Sequence, residues 1–354
     1  MLRFLTAGES HGKGLVSILE GMVADLPLSA DDINYELARR QQGYGRGGRM
    51  QIEKDEVEII SGVRFGKTLG SPISFIIWNK DWDNWKEIMA VNGPTGQQAK
   101  PVTNLRPGHA DLAGTIKYNQ KDIRNILERA SARETAARVA IGAIAKQFLK
   151  EFKIGIKSRV LEIGGLTNEE EIKAAIDRAQ DIGDSLGGVF EVKAVNVPIG
   201  LGSHVHYDLR LSSKLAAAIM SIPAIKGFEI GMGFGCAKLP GSKVHDEIFY
   251  SDGKYSHKTN NAGGIEGGMT NGESVVVRAA MKPIATIKKP LKSVDLLTKK
   301  TVEAHVERAD VCAVPAAAVI GEAMVAYEIA SALLQKFGGD SLGETKSNYE
   351  VFYK

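Results

Sequence analysis

One stretch, residues 106–135, constrains this chain more than any other. It places Arg106, His109, Asp111, Arg124, Arg129, Ser131, Arg133 and Glu134 within thirty positions. So many forked cations beside an ionisable imidazole indicate a site for an anion on which proton chemistry is done. In Arg106-Pro107-Gly108-His109 the proline fixes one dihedral and the glycine tolerates positive φ, which predicts a tight turn with Arg106 and His109 facing one pocket. The second half reads as a helix continuing to about residue 152, with Arg129 and Arg133 four residues apart on one face.

The rest of the chain bounds what that site can serve. At 354 residues it can bury a large core as one domain or two. Its apolar fraction of 44% and charged fraction of 25% are those of a soluble globular protein. No run of eighteen apolar residues occurs, and residues 1–14 have neither the apolar core nor the cleavage site of a signal peptide, so a cytoplasmic protein without a membrane partner is expected. Cys236 and Cys312 are too few for a disulfide framework or a cysteine metal cluster and are expected as small buried hydrophobes. A net charge of +3 is too small to mark a general nucleic-acid binder, so any anion site must be local.

Residues 2–6 read as a strand running into Gly8-Glu9-Ser10-His11-Gly12-Lys13-Gly14, which matches neither phosphate-loop spacing. His11 is there either a general acid or a turn histidine. Ser29 caps a helix reaching about Gln42, followed by an arginine- and glycine-rich loop containing Arg40, Arg46 and Arg49; its short, unrepeated form favours an ordered anion-binding loop over a flexible tail. Strands are expected at 57–63 and 73–78, and residues 79–104 as a long mobile loop. Asp81 and Asp83 in that loop read as solvated charge, and the His204 and His206 pair is not a metal site on this reading, since no third ligand is evident nearby. Strands at 154–163, 188–197, 228–232 and 274–281 alternate with helices at 168–182 and 212–222, and a last helix opens at Val314-Pro315 and ends at Gly338-Gly339. The glycine-rich tract 260–272 suits either main-chain contact with a planar cofactor or a set of bulges and hairpin turns. Asp310 lies just upstream of the last helix, where a capping role is its simplest reading.

Taken together, Gly8-Glu9-Ser10-His11-Gly12, Gly43-Tyr44-Gly45-Arg46-Gly47, Arg106-Pro107-Gly108-His109-Ala110-Asp111, Arg129-Ala130-Ser131-Ala132-Arg133-Glu134-Thr135, Gly267-Gly268, Lys282-Pro283 and the Arg308, Asp310 pair closely resemble the chorismate synthase family from end to end. The resemblance implies a single domain over residues 1–354, an α+β fold in which helices lie between two antiparallel sheets as a β-α-β sandwich, and a homotetramer. It also implies an enzyme that eliminates phosphate and a proton from 5-enolpyruvylshikimate 3-phosphate to give chorismate, with reduced FMN required and no net redox change.

By motif match the resemblance implies that Arg40, Arg46, Arg49, Arg106, Arg133 and Arg308 bind the substrate's two carboxylates and phosphate, where one charge pair near 4 Å contributes only about 4 kcal/mol. It implies His11, His109 and Asp310 as catalytic groups: His11 at the leaving phosphate, His109 near the N1 region of the flavin, and Asp310 near N5. Expected FMN contacts are Arg129, Ala130, Ser131, Pro223, Ala224, Gly267, Lys282, Pro283, Ile284, Ala285, Thr286 and Arg308. Many members have Asn-Ala where this chain has Pro223-Ala224, which leaves a main-chain carbonyl for the flavin; many have Arg-His-Asp-Pro where this chain keeps Arg308 and Asp310 around Ala309 and Val311. NADPH is expected only as the source of reducing equivalents through an external flavin reductase, with Arg40 and Arg46 as its candidate contacts. A small-molecule kinase would need a phosphate loop and paired metal carboxylates, which are missing from the sequence. An RNA-binding reading would need a basic face with stacking aromatics, and the aromatics here are sparse.

Overall fold

The computed structural model describes residues 2–47, 54–92, 100–289, 291–307 and 310–353. Strands β1 (Arg3–Ala7), β2 (Gly14–Glu20), β3 (Val57–Ser61) and β4 (Ile73–Trp78) form an antiparallel sheet in the order β1-β2-β4-β3. A second antiparallel sheet is built from β5 (Gly155–Ile163), β6 (Gly188–Val195), β7 (Ile225–Ile230) and β8 (Val275–Met281), ordered β7-β8-β6-β5. The principal helices are α1 (Ala30–Gln41), α2 (Asp111–Lys117), α3 (Arg124–Ala130), α4 (Thr135–Lys150), α5 (Glu169–Asp181), α6 (Leu211–Met220), α7 (Val314–Phe337) and α8 (Leu342–Phe352). Helices α1 and α4 pack on the first sheet, α6 and α7 on the second, and α4 lies against α7. The fold is therefore the expected α+β arrangement of helices between two antiparallel sheets.

Local sequence accounts for the layers. On β2, Leu15, Ser17 and Leu19 point inward, and Ile73, Phe75 and Ile77 do the same on β4, so period-two alternation aims each at the helices. Ser29 caps α1, accepting from the Asp32 amide while Asp32 accepts from the Ser29 amide. Helix α7 carries Pro315 in its first turn and ends at Gly338 with φ 63°. By length and composition α7 is long and apolar enough to cross a membrane, yet 78% of its apolar window is buried inside the protein. Its small residues permit close approach: a Cβ on Gly142 of α4 would lie 2.2 Å from the Cβ of Ala323. Buried apolar side chains from both sheets and from the helices between them join in one cluster.

Three expectations change. The helix predicted to carry both Arg129 and Arg133 is broken: α3 ends at Ala130, Ser131 is extended (φ −65°, ψ 144°), and a 3-10 turn at Ala132–Glu134 precedes α4. Ser131 causes the break, because its hydroxyl accepts the Arg133 amide and caps a new turn. Cys312 is buried as expected, but Cys236 is exposed on the 3-10 segment Gly233–Lys238. Within residues 79–104, Lys80–Asn84 is a 3-10 turn in which Asp81 accepts from Asn84 and Trp85, and Asp83 pairs with Lys86. These two aspartates hold local structure.

The core also contains a charge. Glu322 on α7 is fully buried and accepts from both Nη atoms of Arg39 (2.7 and 2.8 Å), from Lys146, and from the amide and hydroxyl of Ser158 (2.7 Å each). Burial alone would raise its pKa; the Arg39 hydrogen bonds and the Lys146 charge outweigh it and hold the carboxyl down to about 2 from 4.5. Such a depressed acid stabilises the fold above its unfolded value and loses that contribution as pH falls through the folded one. Glu322→Gln is expected to cost on the order of 3 kcal/mol in urea unfolding at pH 7. The gap to the parent should close as pH is lowered from 4.5 toward 2.

Candidate active site

Three of the arginines singled out from the sequence meet at one end of the helical layer. Arg133, in the 3-10 turn before α4, donates from Nε to the Asn79 side chain at 2.9 Å and pairs with Asp55. Arg40, in the last turn of α1, approaches the other Asp55 oxygen at 3.5 Å, and donates to the Thr135 hydroxyl and the Ala132 carbonyl at 3.0 Å each. It is 4% exposed. Burial pushes its guanidinium down to about 10, partly offset by Asp55, with Arg133 and Arg46 pushing the same way as burial. Arg46 pairs with Asp310 at 2.9 Å, and the Gly47 amide donates to the other Asp310 oxygen at 2.6 Å. The loop holding Arg46 is ordered through Gly47: the Val311 amide donates to the Gly45 carbonyl at 2.8 Å, and a Cβ at Gly45 would lie 2.8 Å from Ile176. Asp310 thus ties this loop to the start of α7 instead of capping the helix, whose N-cap is Ala313. Arg49 and Arg308 lie outside the described residues.

The Arg106-Pro107-Gly108-His109 segment is the predicted turn. The His109 amide donates to the Arg106 carbonyl at 3.3 Å and Gly108 has φ 78°, as a type II turn requires. Arg106 clamps fully buried Asp111 through Nε (2.8 Å) and Nη2 (3.0 Å), and reaches the Thr286 hydroxyl (3.2 Å) and Glu307 (3.3 Å) through Nη1. His109 Nδ1 lies 2.6 Å from Asp111 and 3.0 Å from Arg106 Nη2. It cannot donate to one and accept from the other; the shorter contact and the acceptor-only carboxylate assign an Nδ1–H that donates to Asp111. Burial would raise the Asp111 pKa, but the His109 and Arg106 hydrogen bonds hold it well below the carboxylate range.

His11 joins the same cluster. The Asn79 amide donates to the Glu9 and Gly12 carbonyls on either side of it (3.1 and 2.7 Å), and the neighbouring Ser10 hydroxyl meets the Ser131 hydroxyl at 3.2 Å. Its Nδ1 contacts the Glu128 carboxylate at 2.9 and 3.0 Å. The Trp85 ring stacks on it, with centroids 3.9 Å apart and planes inclined by 23°. Sequence reading missed Glu128, Asp55, Asn79 and Trp85. Glu128 directly precedes the Arg129 motif, and Trp85 is one of only three tryptophans, which were the available signals. Asp55 and Asn79 carried none.

The residues expected around a flavin separate into two groups. Lys282, Pro283, Ile284 and Ala285 line a cavity of about 410 Å³ with Pro107, Gly108, Asp184 and Ser185. That volume is within the roughly 300–1,000 Å³ of small-molecule sites. A Cβ on Gly108 would stand 3.5 Å from Lys282 Nζ and 3.6 Å from the Ala285 Cβ, so glycine keeps that space clear. Lys282 donates to the Gly108 carbonyl at 3.0 Å, and burial lowers its pKa. The Ala224 carbonyl accepts the Lys282 amide at 2.9 Å, which draws the Pro223-Ala224 pair to this wall. Largely apolar walls carrying two lysines, Lys282 and Lys289, against one carboxylate, Asp184, fit a planar anionic cofactor. The second group lies elsewhere. Arg129 donates to the Gly8 and Thr6 carbonyls and the Thr6 hydroxyl, securing the end of β1, with Ala130 behind it at the end of α3. Gly267, with φ 59°, lies in a two-residue hairpin turn packed on residues 203–211.

A further cavity of about 400 Å³ between α1 and α4 is lined by Asp31, Asp32, Tyr35, Glu36, Lys146 and Lys150. It has no arginine or histidine, and Lys146 is already paired with Glu36 at 2.8 Å. Among the described residues no group of three or more His, Cys, Asp and Glu is arranged to hold a metal. The Asp310 tie has a direct test. Asp310→Ala should accelerate trypsin cleavage after Arg46 about tenfold or more under native conditions, because a charged pair contributing about 1.5–3 kcal/mol no longer closes the loop.

Comparison with known proteins agrees with this geometry. The chorismate synthase family model matches residues 2–334. The chain is 57% identical to the chorismate synthase of Aquifex aeolicus, covering 99% of this chain and 97% of that one. It is also 57% identical to the chorismate synthase of Caldanaerobacter subterraneus subsp. tengcongensis, covering 99% and 98%. A crystal structure of chorismate synthase superposes with a TM-score of 0.80 at 47% identity, covering 99% of this chain and 97% of that chain. With a cluster of buried arginines around two carboxylate-held histidines, and with relatives this close over its whole length, the chain belongs to the chorismate synthase family and is a carbon–oxygen lyase.

Proposed function

We propose that the chain catalyses the 1,4-anti elimination of phosphate from 5-enolpyruvylshikimate 3-phosphate, giving chorismate at the end of the shikimate pathway, with reduced FMN bound and no net redox change. The observation that carries this reading is the set of carboxylate-held arginines: buried Arg40 and Arg133 with partly buried Arg46, joined through Asn79 to the His11 turn, and buried Arg106 against His109. A substrate with two carboxylates and a phosphate needs such a set, because each guanidinium offers a fork that matches one anionic group. Internal carboxylates hold these guanidinium groups in place before substrate arrives, so little ordering remains to be done on binding.

In the reaction the C–O bond to phosphate breaks, the C6 proton is lost, and a new double bond forms. His11, when protonated on both ring nitrogens, gives its Nε2 proton to the departing phosphate and is left as the imidazole with Nδ1–H on the Glu128 carboxylate. His109, oriented by Asp111, carries positive charge to the flavin side, and Lys282 adds an amine to that wall. Asp310, held by Arg46 and the Gly47 amide, assists removal of the C6 proton. Reduced flavin, when bound, supplies electron density to the breaking bond and recovers it. The cavity beside Lys282–Ala285 is its proposed seat, and the reductant comes from a separate flavin reductase using NADPH.

The outward face of the first sheet supports the proposed homotetramer. Leu5 and Ile18 are paired across β1 and β2, and with Val16, Ile60 and Trp78 they leave an apolar face exposed. The continuous core supports one domain over residues 1–354. A cytoplasmic compartment and the absence of a nucleic-acid partner complete the proposal, the latter because Arg40, Arg46, Arg106 and Arg133 are held inward by carboxylates.

Anaerobic incubation with 5-enolpyruvylshikimate 3-phosphate and photoreduced FMN should release phosphate and diene absorbance together, and oxidised FMN should release neither. Turnover in air with FMN and NADPH alone would overturn the need for an external reductant. His109→Ala should lose most of this activity while still binding FMN; a variant as fast as the parent removes His109 from the mechanism. Ile18→Glu should shift sedimentation velocity toward smaller species, whereas an unchanged profile places the interface elsewhere.

A further inference from the structure

Glu128 is 2% exposed and turns both its main chain and its side chain to the same short segment. Its carbonyl accepts the Ser10 amide at 3.0 Å. Its Oε2 accepts the His11 amide at 2.7 Å, and both carboxylate oxygens lie within 3.0 Å of His11 Nδ1. Because a carboxylate only accepts, the neutral imidazole must carry its proton on Nδ1, which places the exchangeable site on Nε2. The ring plane is set as well: Trp85 stacks on one face at 3.9 Å. Trp85 is itself held by its Nε1–H to Asp81 at 3.1 Å and by the Arg124 guanidinium 5.5 Å from the ring centroid. We infer that Glu128 is the positioning residue for His11, selecting the tautomer and ring orientation that turn Nε2 toward the leaving phosphate, with Trp85 fixing the plane of the ring. This inference rests on the proposed role of His11 at the phosphate.

A carboxylate that only secured the Ser10–His11 backbone would be equally buried, so the test must read the ring. Glu128→Gln keeps the volume and the acceptor for the His11 amide, but it can turn an N–H₂ toward Nδ1 and so favours the Nε2–H tautomer. In protein labelled with ¹⁵N-histidine and assigned by difference against His11→Asn, the parent should show neutral His11 as Nδ1–H and Glu128→Gln should show Nε2–H. In the anaerobic assay Glu128→Gln should lower kcat about 10²-fold with KM little changed, and Glu128→Asp should recover part of the loss. An Nε2–H tautomer in the parent overturns the inference, as does a Gln variant with parental tautomer and kcat. If Glu128→Gln fails to fold, the tautomer of the parent decides alone. The spectrum needs no turnover, so it separates the two readings: a parent that makes no diene, or a His11→Asn variant with full activity, sinks the proposed reaction or the His11 role whatever Glu128 does.

Discussion

The site depends on keeping guanidinium groups charged while they are almost out of water. Transferring an unpaired ion into a protein interior costs several kcal/mol, and this fold meets that cost with carboxylates of its own. Asp55 serves Arg133 and Arg40, Asp111 serves Arg106, and Asp310 serves Arg46. Arg40 is the most burdened, held near 10 by burial, and still protonated at neutral pH. The arrangement is thus a cradle whose cations are neutralised from behind, leaving their field directed at whatever anion enters.

The same few residues connect the site to the frame. Asn79 follows the last residue of β4 and uses all of its side chain, accepting from Arg133 and donating to the two carbonyls that flank the His11 turn. Any shift of β4 in its sheet would therefore move the Arg133 guanidinium and the His11 imidazole together. Lys282 does the equivalent for the second sheet, since it follows β8 directly and reaches the Gly108 carbonyl in the turn that bears His109. The two sheets differ in what they hold: one carries His11, the other the wall of the cavity beside Lys282–Ala285.

Much of the fold was legible because it followed local rules. The cap at Ser29, the alternation on β2 and β4, and the limits of α7 are all written in adjacent residues. The helix spanning Arg129 and Arg133 was misread because helix propensity and four-residue spacing say nothing of a serine that prefers to cap a new turn. The outcome separates the two arginines by function: one secures a strand end, the other lines the site. In the site, cations in motifs could be found by their density, whereas their counter-charges are single acids far away in sequence. Asp55 stands 78 positions from Arg133 and Glu128 stands 117 from His11. Only tertiary structure brings such partners together.

The tie between Gly47 and Asp310 spans 263 positions, and that between Arg39 and Glu322 spans 283. On the ribosome, the first sheet and α1 are made long before either acid exists. Domains are completed in the order of synthesis, so the emerging chain carries Arg39 and Arg46 without these partners until nearly nine-tenths of it has been translated. The segment that leads into and forms α7 does more than fill the core: with it arrive Asp310 and Glu322, the partners of Arg46 and Arg39. A chain stopped before residue 310 leaves Arg46 without Asp310 and Arg39 without Glu322, so premature termination late in the message is for this enzyme a charge defect as much as a packing one.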